Sequence, residues 1–170
     1  TEAFVFGAHA ALNAALRAAR EHSAWSPAAS QPTIDLLRGA HARPQANPAE
    51  ILARLQRLMA EDVGPFRTED KLRRAIAGLA DLQREVGDTP WAAGSGYDSV
   101  LIDWLDLRNM VLVAQSVAMP ALARTESRGA HQREDFPSLD QNWRINQVIT
   151  RSGGELDMTT IVPPSRKAAA

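Results

Sequence analysis

Between residues 47 and 127, apolar side chains return at helical spacing in three successive stretches. Each stretch lies between recognisable start and stop signals, and this pattern commits the chain to a helical core. Asn47-Pro48-Ala49-Glu50 opens the first. Asparagine accepts a bond from a free helix N–H, proline suits the first turn, and glutamate stands where a capping box needs it. Ile51, Leu55, Leu58, Met59 and Val63 then share one face until Gly64-Pro65 ends it. Thr68 opens the second stretch, with Leu72, Ile76, Leu79, Leu82 and Val86 on one side and Gly87 closing it. The third runs from about Ser99 to Ser127, with Leu101, Leu105, Val111, Leu112, Ala118 and Leu122 as its face. Pro120 falls inside it and predicts a kink rather than an end, because the spacing resumes afterwards. Three helices with such faces bury one another as an antiparallel three-helix bundle of spectrin-repeat type over 47–137.

The flanks read differently. Residues 1–22 form one more helix, with small residues at Gly7, Ala11, Ala14 and Ala18 that let another backbone approach closely. Residues 23–46 read as a linker punctuated by Ser26-Pro27, Gln31-Pro32 and Arg43-Pro44, with Trp25, Ile34, Leu36 and Leu37 lying on a surface. In the tail, 138–170, Trp143, Ile145, Gln147 and Ile149 alternate with other residues, as do Leu156, Met158, Thr160 and Val162. Gly153-Gly154 between the two sets predicts a β-hairpin. A lone hairpin is marginal in water, so it must lean on the bundle or on a partner.

Composition closes off several function classes. The net charge of −1 gives no electrostatic footprint for nucleic acid or a membrane surface, and no apolar run is long enough for direct membrane insertion. With no cysteine there is no disulfide, thiolate-held cluster or cysteine nucleophile. His9, His22, His41 and His131 lack metal-ligand spacing, so no metal is assigned. Trp25, Trp91, Trp104 and Trp143 read as packing anchors rather than a base-stacking platform.

Chemistry concentrates in one run, Arg124-Thr-Glu-Ser-Arg-Gly-Ala-His-Gln-Arg-Glu-Asp-Phe-Pro137. Glycine at 129 permits a backbone angle at which a helix can end. Arginine forks bind both oxygens of a carboxylate, so Arg128, His131 and Arg133 are candidates to hold a carboxylate ligand. The structural alternative is a buried ion network of Glu126, Arg128, His131, Arg133, Glu134 and Asp135 that fixes the turn and a domain interface. In that setting Arg128→Ala would leave carboxylates unpaired, at about 3–5 kcal/mol if they are buried. His131 has a suitable intrinsic pKa for a base, but beside so many carboxylates it is expected to donate hydrogen bonds. Ser127 has no nucleophile-elbow context.

The same run resembles the Glu-Ser-Arg-Gly-Ala-His-x-Arg-x-Asp segment near the carboxyl end of the flavoprotein subunit of succinate dehydrogenase and fumarate reductase. Further pieces resemble that family in order: Glu2-Ala-Phe-Val-Phe-Gly-Ala-His-Ala10, Met59-Ala-Glu-Asp-Val-Gly-Pro-Phe-Arg67, Asp106-Leu-Arg-Asn-Met110, Asp140-Gln-Asn-Trp143 and Pro163-Pro-Ser-Arg166. L-aspartate oxidases share Glu-Ser-Arg-Gly, while the residues from Ala130 to Pro137 and Asn142-Trp143 favour the succinate/fumarate branch.

The resemblance implies an FAD-dependent parent that exchanges hydride between a dicarboxylate and flavin and then trades electrons with an iron–sulfur partner. It also implies a cytoplasmic location, peripheral to the inner membrane through partner subunits. One departure bounds what this chain does. The Gly-x-Gly-x-x-Gly dinucleotide fingerprint is absent, and so is the family's substrate-capping domain. The chain therefore reads as the carboxyl-terminal part of a larger flavoprotein, whether a cut product, a truncated piece or half of a split enzyme. No catalytic and no cofactor-binding residue is assigned to it. FAD belongs to the parent and is not held by this chain alone. Glu126, Arg128, Gly129, His131, Arg133, Glu134 and Asp135 are expected to be structural and interface residues, facing the flavin-domain portion of the same enzyme. A second candidate partner is an iron–sulfur protein of the same complex. The rival readings are the same domain of an L-aspartate oxidase-like flavoprotein, and a non-enzymatic helical interaction module.

Overall fold

The computed structural model describes residues 2–18, 26–42, 47–94, 97–152 and 154–163. Trp25, His22, Gly153 and residues 164–166 of the tail motif lie outside them. The described residues fall into two compact units, one up to Arg38 and one from Gly39 onward.

The first unit holds α1 (Glu2–Ala18) and α2 (Pro27–Arg38). The small-residue stripe of α1 is open, with nothing within 4 Å of a Cβ built at Gly7, and its aromatic Phe4 is 86% exposed. Helix α2 occupies part of the stretch where the sequence predicts a linker. Ser26-Pro27 reads as loop punctuation, yet serine before a first-turn proline is equally a helix start. The Ala29 N–H donates to Ser26 O at 3.0 Å, and the helix continues through Pro32.

The second unit is built on α3 (Pro48–Asp62), α4 (Glu69–Val86) and α5 (Ser99–Ala123), which pack pairwise. The capping signals act as the sequence predicts. Asn47 accepts from Glu50 N and Thr68 from Lys71 N, while α5 takes a cap that the sequence pattern did not single out, Asp98, which accepts from Leu101 N. Cross-links fix the directions. Arg54 reaches Glu85 while Asp62 reaches Arg74, so α3 and α4 are antiparallel. The core comprises Ile51, Leu55 and Val63 from α3 and its end, Leu72, Ala75, Leu79, Leu82 and Val86 from α4, Trp91 from the connection that follows, and six α5 residues.

Those six are Trp104, Leu107, Val111, Ala114, Ala118 and Ala121. They alternate in steps of three and four, as a coiled-coil seam does. Only Val111 and Ala118 belong to the face expected from spacing. Leu101, Leu105, Leu112 and Leu122 lie half-buried on the flanks. Because α5 is apolar almost all round, periodicity could not choose a face; packing did. Trp104 anchors the choice by donating its indole N–H to Val86 O at 3.1 Å. Helix α5 also ends earlier than expected, at Ala123 rather than Ser127.

Two small strand pairs complete the unit. β1 (Phe66–Arg67) runs parallel to β2 (Gln132–Arg133), a pairing the sequence did not suggest. β3 (Asn146–Ser152) and β4 (Glu155–Ile161) form the expected antiparallel hairpin. The hairpin leans on the end of α5, where Gln147 Nε2 donates to Pro120 O at 3.0 Å.

The turn from α3 to β1 is tight. A Cβ at Gly64 would stand 2.6 Å from the backbone oxygen of Ala60, which has no room to yield. Gly64→Ala is therefore expected to destabilise the chain by about 1–3 kcal/mol, the usual range for overpacking. Chemical denaturation checks this, and an unchanged midpoint would show that the turn is looser than described.

Candidate functional site

The charged run folds back over the end of the bundle where α5 stops and α4 starts. It divides into two ion clusters rather than one network.

The first cluster centres on Arg133, whose side chain is 1% exposed. Its Nη1 group faces the carbonyls of Ala121, Leu122 and Arg124 at 3.0–3.1 Å, the orphan acceptors at the end of α5. Its Nε and Nη2 meet both oxygens of Asp135 at 2.8 Å each. Asp135 in turn accepts the Glu69 N–H, the first of α4, at 2.8 Å. The pair thus joins opposite helix ends, with guanidinium on the negative end of α5 and carboxylate on the positive end of α4. Hydrogen bonding from Arg133 holds the Asp135 carboxyl down at about 2.

The second cluster centres on Glu126, which is wholly buried. Its Oε1 accepts from Arg124 Nη1 at 2.6 Å and Arg128 Nε at 2.7 Å. Its Oε2 accepts from the Asp140 N–H at 2.9 Å and Arg128 Nη2 at 3.0 Å. The Arg128 bonds are the largest cause of a Glu126 pKa lowered to about 2. Arg124 also donates to the carbonyls of Trp143 and Ile145 at 2.9 Å and lies over the Trp143 ring at 5.1 Å. One arginine therefore fastens the hairpin to the turn. Arg128, whose removal is expected from the sequence to leave carboxylates unpaired, is 39% exposed and shares its carboxylate with Arg124.

Ser127 ties the turn together. Its hydroxyl accepts the Arg133 N–H at 2.8 Å and donates to Phe136 O at 2.9 Å. Gly129 adopts φ 58°, a left-handed angle that a side chain resists, which lets Arg128 and His131 exchange backbone bonds. Glu134 points outward to Lys71 at 3.6 Å and belongs to neither cluster.

His131 contacts arginine and backbone rather than carboxylates. Arg67 Nη1 lies 2.8 Å from its Nδ1, and its Nε2 stands 3.4 Å from Arg124 O. Arginine can only donate, so Nδ1 accepts and the ring is neutral. Burial, then the charges of Arg67, Arg133 and Arg124, push its pKa down. The folded state resists a proton that the unfolded chain takes near 6.5, so stability is full above that value and falls as pH drops below it. His131→Gln, which keeps an acceptor for Arg67, is expected to flatten that stretch of the stability–pH curve. An unchanged slope between about pH 6.5 and 5 would place its cause elsewhere.

Sequence spacing missed Arg67, Arg124 and Asp140 as members of the site. Arg67 closes the Val63-Gly64-Pro65-Phe66 turn, donating from Nε to Val63 O and Gly64 O at 3.1 and 2.9 Å. Only the β1–β2 pairing carries it to His131.

The arrangement does not fit a dinucleotide. The described strands are a two-residue parallel pair and a hairpin, with no glycine-rich strand-to-helix turn. The one helix that follows a parallel strand, α4, has its amino end filled by Thr68 and Asp135. Among the described residues no three histidine or carboxylate side chains are placed to hold a metal, and no helix is long and apolar enough to cross a membrane.

Comparison with known proteins agrees with this geometry. The family model described as "Fumarate reductase flavoprotein C-term" matches residues 52–167. A fumarate reductase (CoM/CoB) chain of Methanothermobacter marburgensis is 34% identical over 151 residues, which is 86% of this chain and 27% of that protein. A chain of the Mycobacterium smegmatis Sdh1 complex in the apo form superposes with a TM-score of 0.77 at 34% identity, covering 94% of this chain and 28% of that one. A chloroplastic L-aspartate oxidase of Oryza sativa is 37% identical over 95 residues, 56% of this chain and 15% of that protein. The chain thus spans little more than a quarter of the first two relatives. With the family model matched over most of its length and relatives at 34% identity, this chain of helical bundle, charged turn and hairpin belongs to the fumarate reductase flavoprotein C-terminal family.

Proposed function

We propose that this chain is the architectural domain of an FAD-dependent succinate/fumarate oxidoreductase, packing on the flavin-binding portion of the same enzyme. The parent exchanges hydride between a small dicarboxylate and FAD and passes electrons to an iron–sulfur partner, which this domain also meets. Glu126, Arg128, Gly129, His131, Arg133, Glu134 and Asp135 serve structure and interface rather than chemistry.

The observation that carries this reading is saturation. The donors of Arg133 and Arg124 are spent on Asp135, Glu126 and backbone carbonyls, which leaves neither of these cations aimed at a substrate. The exposed apolar side chains of α1 support docking, because Phe4, Phe6, Leu12 and Leu16 are too much apolar surface to leave in water. The L-aspartate oxidase relatives keep a flavoprotein oxidase as the second reading, since their likeness reaches this domain as well.

Intact mass and visible absorption of natively purified protein test the proposal. Flavin absorption is expected in a polypeptide or complex larger than this chain. A single colourless species of 18.5 kDa would overturn it and favour a free-standing helical module.

A further inference from the structure

Beside the Glu126 cluster lies an open pocket of about 340 Å³, walled by Arg124, Arg128, His131, Trp143, Arg144 and Pro163 among others. Three guanidinium groups line it and, among the described residues, no carboxylate does. Glu126 lies wholly buried and is spent on Arg124 and Arg128. The Asp140 carboxylate is turned to the Asn142 N–H at 2.9 Å. Arg124 is tied down, since each of its three nitrogens already bonds within the domain. Two cationic edges remain. Arg128 Nη1 has no acceptor among the described residues, and the exposed side chain of Arg144 has no partner among them.

We propose that this pocket seats a carboxylate side chain from the flavin-binding portion of the same enzyme, held between Arg128 and Arg144. The inference rests on the docking reading above and names the chemistry that the docked surface must present. A planar arginine edge matches the two oxygens of a carboxylate. The Trp143 ring and Pro163 beside it suit the methylenes of an aspartate or glutamate side chain, whereas a strongly hydrated phosphate gains nothing from them. A single exposed ion pair contributes little alone, so the pocket is built for one carboxylate carried in by a larger surface, where it sets register and orientation.

The test uses the 15N-labelled 170-residue chain and follows the indole N–H signal of Trp143, assigned with Trp143→Phe. Glutarate, each of whose carboxylates stands in for that of a glutamate side chain, is titrated at constant ionic strength, with chloride and inorganic phosphate as controls. A saturable shift in the millimolar range is expected for glutarate, weakened at least about fivefold by Arg144→Gln, which removes a side chain with no internal partner among the described residues. No saturation, an equal response to chloride or phosphate, or indifference to Arg144→Gln would each overturn the carboxylate site. In the natively purified complex, Arg144→Gln is expected to weaken association about tenfold and to reduce its salt dependence. Glutarate binding with an unaltered complex would overturn the assigned occupant. Absence of any flavin-bearing partner would overturn the docking reading, and this inference with it. A stable complex whose pocket ignores glutarate would overturn this inference alone.

Discussion

Replacing Arg133 with methionine is expected to destabilise the domain by about 3–5 kcal/mol, the range for breaking one side of a buried ion pair. Methionine fills similar space, so the loss measures charge and hydrogen bonds rather than a cavity. It strands the carbonyls of Ala121 and Leu122, leaves Arg124 O to His131, and removes the fork from Asp135. Asp135 keeps its bond to the first amide of α4 and is 29% exposed, so water recovers part of the loss and the lower end of the range is the better expectation. Lysine should not rescue it, because one ammonium cannot meet both Asp135 oxygens and the α5 carbonyls together. Urea denaturation at constant slope reads the change directly. A loss below about 1 kcal/mol would mean that Arg133 is not the clasp between the two helix ends. A double-mutant cycle with Asp135→Asn should return a coupling of at least about 1 kcal/mol, as contacting charges do.

Glu126→Gln should be nearly as damaging, at about 3 kcal/mol, although it changes no volume. Four N–H donors converge on the two carboxylate oxygens. An amide offers one acceptor and turns a donor toward the rest, which leaves Arg124 and Arg128 facing a neutral group. The same residue sets an acid limit. The Glu126 pKa falls from 4.5 to about 2 through the Arg128 bond, and that of Asp135 from 3.8 to about 2 through Arg133. A carboxyl with a lowered folded pKa contributes its full stabilisation above its unfolded value and loses it as pH falls toward the folded one. The wild-type chain should therefore lose stability steeply between about pH 4.5 and 2. Glu126→Gln should be weaker at neutral pH and show a shallower acid slope, the remainder belonging to Asp135. Parallel acid curves for variant and wild type would show that Glu126 does not carry the acid sensitivity.

Part of this site was legible in the sequence. Arginine and carboxylate types in Arg124-Thr-Glu-Ser-Arg mark ion pairing, and three pairs formed are sequence neighbours, Arg133 with Asp135 and both Arg124 and Arg128 with Glu126. Which arginine would be buried was not legible. Arg133 disappears because β2 threads it under the end of α5, while Arg128, two residues from the same glutamate that Arg124 holds, stays at the rim. The Arg67–His131 contact joins residues 64 apart, and nothing within either motif points to the other.

The same division holds for the fold. Caps, stops and the hairpin turn are local events, decided by bonds that span three or four residues. The chain alone therefore determined where α3 and α4 begin, that α5 follows, and that the tail turns back on itself. Ser26-Pro27 belonged to the same class of signal, and α2 follows from it. Tertiary structure decided what sequence periodicity leaves degenerate. An almost uniformly apolar α5 has no preferred face until Trp104 meets Val86 and the six-residue seam closes against α3 and α4. Arginine finds its carboxylate or carbonyl only once helix ends and strands have been brought together, because a charge selects its partner by distance and burial, and sequence separation specifies neither.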